Sequence, residues 1–171
     1  MFYKTKYTSQ MGVITLACKD NKLAGLWFDG QKYFADSIKE EMQENDSPEI
    51  FHRTKDWLDR YFRGERPDIK ELKLAPAGNE FRQTVWDLLC EIPYGKVTTY
   101  KALALKTAAK LNKSTMSAQA IGGAVGHNPI SIIIPCHRVV SVDGNLTGYA
   151  GGLQRKIKLL ELEHADISNP V

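Results

Sequence analysis

Long apolar runs are missing from this chain. Nothing in its 171 residues approaches the eighteen or so consecutive apolar residues of a membrane span. The first twenty residues, MFYKTKYTSQMGVITLACKD, show no charged stretch leading into a long apolar one, so no targeting or membrane segment is expected. Cysteine is scarce: Cys18, Cys90 and Cys136 are odd in number and never at C-x-x-C spacing. Free thiols in a reducing cytoplasm are the expectation. The four histidines, His52, His127, His137 and His164, are scattered. With the cysteines they form no metal-ligand spacing, so neither zinc nor another cofactor is expected. Excess charge is lacking too. The formal net charge is only +3, so nucleic-acid affinity would need a local patch rather than a cationic surface. Repeats and low-complexity segments are absent.

What is present reads as an ordinary globular chain, with 43% apolar and 25% charged residues. That length suits one domain or two small ones, with a core that needs no staples. Residues 2–8, 12–18 and 22–28 are short apolar or β-branched runs, separated by turns at 10–12 and 19–21. They predict an antiparallel meander. The charge-rich stretch 39–46 reads as a loop or helix end. Ser47-Pro48-Glu49 reads as a cap, a first-position proline and a first-turn acid. Ile50, Trp57, Leu58, Tyr61 and Phe62 then follow at helical spacing. Residues 64–76, rich in charge and broken by Gly and Pro, read as a linker. The expected organisation is therefore an N-terminal α/β piece with its linker at 1–76 and a mostly helical piece at 77–171.

In the second piece Asn79 should cap a helix whose apolar stripe is Phe81, Val85, Leu88 and Leu89. Thr98 or Thr99 should start a short helix over 100–105. Ser114 to Ser117 should open another, stopped at Gly126. These two make a loose helix-turn-helix pattern with a long connection. Residues 130–134, ISIII, read as a strand. The final helix should turn Leu153, Ile157 and Leu160 inward.

A lone cysteine is more often a small buried hydrophobe than a nucleophile. That reading suits Cys18 and Cys90. Cys136 differs, because Pro135 takes the chain out of the apolar run and could expose the next side chain. His137 and Arg138 flank it, and nearby cations favour thiolate. Adjacent extended residues point opposite ways, so His137 would act through a water. Gly122 and Gly123 sit inside a predicted helix, where glycine costs roughly 1 kcal/mol relative to alanine. Either two helices pack closely there, or the helix must approach something rigid.

Four strings then agree. IPCHRVV (Ile134 to Val140) resembles the acceptor-site signature of the O6-alkylguanine-DNA alkyltransferases, bacterial type. IPYGKVTTY (Ile92 to Tyr100), AIGGAVGHNP (Ala120 to Pro129) and TGYAGG (Thr147 to Gly152) fall in that family's order and spacing. EFRQTVW (Glu80 to Trp86) is similar to the helix opening its C-terminal domain. GLWFDGQ (Gly25 to Gln31) is similar more loosely.

The resemblance implies an α+β fold. It pairs a small antiparallel-sheet, ribonuclease H-like N-terminal domain with a helical C-terminal domain carrying a winged-helix-like helix-turn-helix. It implies DNA repair by direct reversal: irreversible transfer of an alkyl group from O6-alkylguanine, and from O4-alkylthymine, to Cys136, one lesion per protein. The partner would be double-stranded DNA met through the minor groove by a monomer. His137 would take the thiol proton through a water, with Glu163 orienting it. Asn128 would brace the turn, and Tyr100 would donate to guanine N3. The Cys136 and Val139 carbonyls would accept from the exocyclic amine. The Ala150 N–H would reach O6, Tyr149 would line the pocket, and Arg138 would help bind DNA. The helix carrying Ala118, Ala120, Gly122 and Gly123 would enter the groove. Gln119 stands where the family places an intercalating arginine, a departure that bears on base extrusion.

Two other classes compete. A cysteine hydrolase would use Cys136, His137 and Asn128 through a thioester that water cleaves. A binding protein without chemistry would use the helix pair alone, and the presence of Cys136 argues against it.

Overall fold

The first three apolar runs pair in sequence order because each turn between them is two residues long. The computed structural model describes residues 1–171. Strand β1 (Phe2–Ser9) pairs antiparallel with β2 (Gly12–Lys19), and β2 with β3 (Lys22–Phe28). In the β2–β3 turn Asp20 and Asn21 both take positive φ, 51° and 56°. Two left-handed residues in a two-residue hairpin match the twist of the flanking strands, and Asp and Asn tolerate them best. A bulge at Ala17/Cys18 shifts the register. Gly25 lies under the Trp27 indole, where an added Cβ would sit 2.0 Å from the ring. Glycine is therefore required for that ring to lie flat on the sheet.

Residues 39–46, expected as loop or helix end, contain strand β4 (Met42–Glu44), which adds parallel to β1. The sheet is thus mixed, in the order β3-β2-β1-β4, rather than wholly antiparallel. Its polar composition hid the strand: only the backbone pairs, and the side chains stay half-buried or exposed. The outer edge of β3 is closed by two short pieces. The Leu23 N–H donates to the Lys73 carbonyl and the Leu26 N–H to the Pro129 carbonyl, both at 2.8 Å. Covering an edge removes a site for unwanted strand addition.

Helix α1 (Glu49–Phe62) buries Ile50, Phe51, Thr54, Trp57, Leu58 and Tyr61. Its cap differs from the expected one. Pro48 is the cap residue, and the Ser47 side chain does not cap the helix. Instead the Asn21 Oδ1, from the β2–β3 turn, accepts from the Ile50 N–H at 2.9 Å. Asn21 thus serves the hairpin and the helix at once.

The chain divides into two compact units. One is Met1–Ala77 with Pro129–Ser131, and the other is Gly78–Asn128 with Ile132–Val171. The uninterrupted segment 77–171 is therefore broken once, where Pro129–Ser131 pairs with β3.

In the second unit Asn79 caps α2 (Glu80–Leu89) by accepting from the Arg82 N–H. Thr99 caps α3 (Tyr100–Lys110), which runs a turn and a half past the expected end at 105. Ser117 caps α4 (Ala118–Gly126), which starts later than 114. The Trp86 Nε1 donates to the Ala124 carbonyl at 2.9 Å, pinning α2 to α4. Two-residue strands β5 (Thr98–Thr99) and β6 (Val139–Val140) pair in parallel. Helix α5 (Leu153–Leu162) closes the unit. No helix is long and apolar enough to cross a membrane.

Because Asn21 supplies both a left-handed turn residue and a helix cap, Asn21→Ala should cost about 1–2 kcal/mol. Asn21→Asp keeps both abilities and should unfold close to wild type in urea. Equal losses for Ala and Asp would mean the cap contributes nothing.

Candidate active site

The site begins with a turn rather than a strand. Residues 131–134, expected to be extended, form turns after an isolated bridge at Ile130. Ile132 has φ 71°, an uncommon and strained value for a β-branched residue. Asn128 holds this turn: its Nδ2 donates to the Ile134 carbonyl at 2.8 Å. The Cys136 N–H donates to the same carbonyl, also at 2.8 Å. Cys136, His137 and Arg138 then form one short 3-10 turn.

Cys136 is buried, with 5% of its surface exposed, so Pro135 does not turn it outward. The proline ends the preceding turn, and the 3-10 turn that follows carries the thiol into the interior. Burial pushes the Cys136 thiol up. The Asn128 side chain and then the charge of Lys156 work against that rise. His137 and Arg138 are not the cations that favour the thiolate. Arg138 is itself buried and committed elsewhere. Its Nε donates to Glu163 Oε1 at 2.8 Å and its Nη2 to Oε2 at 3.1 Å. Its Nη1 donates to the Ile92 carbonyl at 2.7 Å. The expectation that Arg138 helps bind DNA is therefore corrected: its guanidinium is consumed by this fork.

Glu163 also reaches the His137 ring, Oε2 to Nε2, at 2.7 Å. Burial holds the imidazole below its ordinary value, while Glu163 pulls the other way. The carboxyl is held well below the usual carboxylate range by His137 and then Arg138, against the opposing effect of burial. A neutral ring that donates Nε2–H to this carboxylate has Nδ1 as its basic nitrogen. That atom is buried and has no protein hydrogen-bond partner. Gly95 (φ 77°) allows the close approach: an added Cβ would lie 3.2 Å from the Glu163 carbonyl.

The last helix is turned differently from the expected stripe. Lys156, Leu159 and Leu160 are its buried residues, Glu163 caps its end, and Leu153 is exposed. The buried row 156, 159, 160, 163 has helical spacing, but two of its members are charged. Leu160 points inward as expected and Ile157 is half-buried, so counting only apolar residues errs at Leu153 and misses the two buried charges. Lys156, absent from the sequence expectations, is fully buried. Its Nζ donates to the Val139 carbonyl at 2.6 Å and the Thr147 carbonyl at 2.8 Å. The Val139 carbonyl, expected to face a base, is thus already engaged. Only an unexplained charge on the inward face of α5 could have flagged this lysine.

Beside this centre lies an open cleft of about 500 Å³. Tyr100, Gln119, Gly122, Thr147 and Gly148 are among its lining residues. The Tyr100 hydroxyl donates to the Thr147 carbonyl at 3.2 Å. Burial, and then the Cys136 thiolate, push its pKa up to about 12. Ala118, Gln119, Ala120 and Gly123 are exposed on α4, and Gly122 is partly so. A Cβ at Gly122 or Gly123 would meet nothing within 4 Å. Internal packing therefore does not explain the glycine pair. Tyr149 and Ala150 lie half-buried on the loop before α5 and are not among the residues that line the cleft.

A buried cysteine beside a histidine set on a carboxylate, and a smooth exposed helix of a helix-turn-helix, describe a cysteine-centred site in a protein of nucleic-acid-binding form. Residues 80–165 match the 6-O-methylguanine DNA methyltransferase, DNA binding domain, and residues 2–76 match the ribonuclease-like domain of the same family. The methylated-DNA–protein-cysteine methyltransferase of Haemophilus influenzae is 37% identical over 161 residues, 94% of this chain and 86% of that one. That of Methanosarcina acetivorans is 40% identical, covering 94% and 97%. Mycobacterium tuberculosis OGT in complex with DNA superposes with a TM-score of 0.82 at 37% identity, covering 95% and 92%. The chain belongs to the 6-O-methylguanine DNA methyltransferase family.

The Glu163 carboxylate neutralises a buried guanidinium, so Glu163→Gln should lower the unfolding free energy at pH 7 by about 3 kcal/mol. The folded carboxyl binds its proton less readily than the unfolded one. The stability it contributes is therefore present above its ordinary value of 4.5 and lost as pH falls toward the folded value. Denaturant titrations of both proteins should differ by a constant amount from pH 8 to about 5 and converge in acid. A difference under about 1 kcal/mol at pH 7 would mean Arg138 is satisfied without Glu163.

Proposed function

We propose that this protein repairs alkylated DNA by direct reversal, moving the alkyl group of O6-alkylguanine, and of O4-alkylthymine, irreversibly onto Cys136. The observation that carries this reading is the buried Cys136 turn set beside the His137–Glu163 pair. Residues 77–171 would form the DNA-binding and alkyl-acceptor part, and residues 1–76 the N-terminal α/β part with its linker. The protein would act as a monomer on duplex DNA, in a cytoplasm that keeps its three free thiols reduced.

The reacting carbon is saturated, and a thiolate is a strong, soft nucleophile for in-line displacement there. His137 Nδ1 takes the thiol proton through a water, and Glu163 stabilises the resulting imidazolium. The thiolate attacks the alkyl carbon, an S–C bond forms, the C–O6 bond breaks, and its electron pair passes to the guanine. Tyr100, held protonated, donates to N3 and offsets the charge developing on the base. The Cys136 carbonyl, the second lone pair of the Val139 carbonyl and the Ala150 N–H orient the base, with Tyr149 alongside. The target atom is buried in stacked DNA, so the base must flip out at a cost of a few kcal/mol. The exposed face of α4, with Ala118, Ala120, Gly122 and Gly123, meets the minor groove without steric bulk.

The product is a thioether, which water does not cleave. Incubation with O6-methylguanine DNA should therefore add one methyl per protein, on Cys136, and then stop. Cys136→Ser should bind the DNA and transfer nothing, while Cys18→Ser and Cys90→Ser should retain transfer. Sustained turnover would instead favour a hydrolase passing through a thioester.

Gln119 lines the cleft but offers only hydrogen bonds where an arginine would add charge and a stacking plane. Gln119→Arg should speed single-turnover repair of duplex DNA and steepen its salt dependence by about one phosphate contact. Reaction with the free base O6-benzylguanine should change little, since nothing needs extruding. Equal duplex rates for Gln, Arg and Ala at position 119 would remove this residue from base extrusion.

A further inference from the structure

Lys156 is the buried charge that the reaction as described does not use. It is fully buried, and its ammonium donates to two backbone carbonyls rather than to a carboxylate. A methionine of similar length would fill the same space without the cost of desolvating an ammonium. Its neighbours explain the charge. The Arg138 charge is committed to Glu163, and the charge that His137 gains on taking the thiol proton is shared with that same carboxylate. Three titratable groups face the ammonium from the elements packed on α5. Cys136 and His137 lie on the 3-10 turn, and Tyr100 lies on α3, its ring centroid 5.9 Å from Nζ. Burial lowers the Lys156 pKa to about 8, and the Cys136 thiolate raises it in return.

Its hydrogen bonds point the same way. The Val139 carbonyl follows the turn that carries Cys136, and the Thr147 carbonyl belongs to the loop lining the cleft. Thr147 also accepts from Tyr100. A carbonyl has two lone pairs, so both donors are accommodated. When Tyr100 turns to a substrate base, Lys156 keeps this carbonyl satisfied and the loop in place.

We propose that Lys156 is a positioning residue for alkyl transfer: its ammonium ties the Cys136 turn to the cleft loop and supplies the positive charge against which the Cys136 thiolate forms. The proposal rests on Cys136 being the acceptor, but its tests need no DNA and so stand or fall separately from the repair reading. The first follows carbamidomethylation of Cys136 by iodoacetamide against pH, read by peptide mass. Lys156→Met should raise the midpoint by about one pH unit, making the reaction about tenfold slower at neutral pH and equal to wild type in strong alkali. Lys156→Arg, which keeps the charge, should stay near the wild-type midpoint. A Lys156→Met profile superposing on wild type overturns the proposal. Should Lys156→Met fail to fold or Cys136 resist the reagent, the 13Cε titration of Lys156 in wild type and in Cys136→Ala decides. A midpoint that falls when the thiol is removed supports the coupling, and an unchanged midpoint overturns it.

Discussion

Everything around Cys136 depends on the carboxylate of Glu163. It accepts from Arg138 through both oxygens, from the His137 ring and, at 3.4 Å, from the Gly95 N–H. Arg138 extends the network to the Ile92 carbonyl. One buried anion thus joins the end of α5, the acceptor turn and the segment before β5. A buried charge is tolerated only when fully paired and hydrogen-bonded, so the pieces cannot drift apart without exposing an unpaired ion. That requirement fixes the imidazole orientation and leaves Nδ1 as the base.

The acceptor turn adds a second constraint. Ile132 in a left-handed conformation is held by the Asn128–Ile134 hydrogen bond. A strained turn that is pinned at both ends presents a side chain reproducibly. The turn follows the one interruption of the second unit: Asn128 ends one piece, and Ile132 begins the next. The cleft wall is tied differently, with Thr147 sharing its carbonyl between Tyr100 and Lys156. A pinned acceptor turn beside a tied cleft wall suits a site that must hold a nucleophile in line.

Much of this was legible beforehand. The meander strands showed through period-two runs and short turns, and α2 through Asn79 and its apolar stripe. The partnership of His137 with Glu163 came from motif resemblance alone, since a separation of 26 positions says nothing about proximity. Three expectations failed for identifiable reasons. ISIII looked extended because β-branched residues favour strands, yet the pull of Asn128 and Pro135 makes it a turn. Strand β4 was hidden because its pairing is carried by backbone atoms. The stripe of α5 was right at Leu160 and wrong at Leu153, because burial there selects Lys156 and Glu163 instead.

By itself the sequence determined much of the local structure: the three meander strands, the presence of the helices, Asn79 as a cap, and which cysteine carries the family signature. These follow from interactions within a few residues, so they can be read along the chain. Only the tertiary structure decided that Arg138 faces inward, that Cys136 is buried rather than exposed, and that Lys156 lies buried against the Val139 and Thr147 carbonyls. Those outcomes depend on which distant groups share one low-dielectric interior. A buried charge takes its meaning from the partner that neutralises it, and chain order does not reveal that partner.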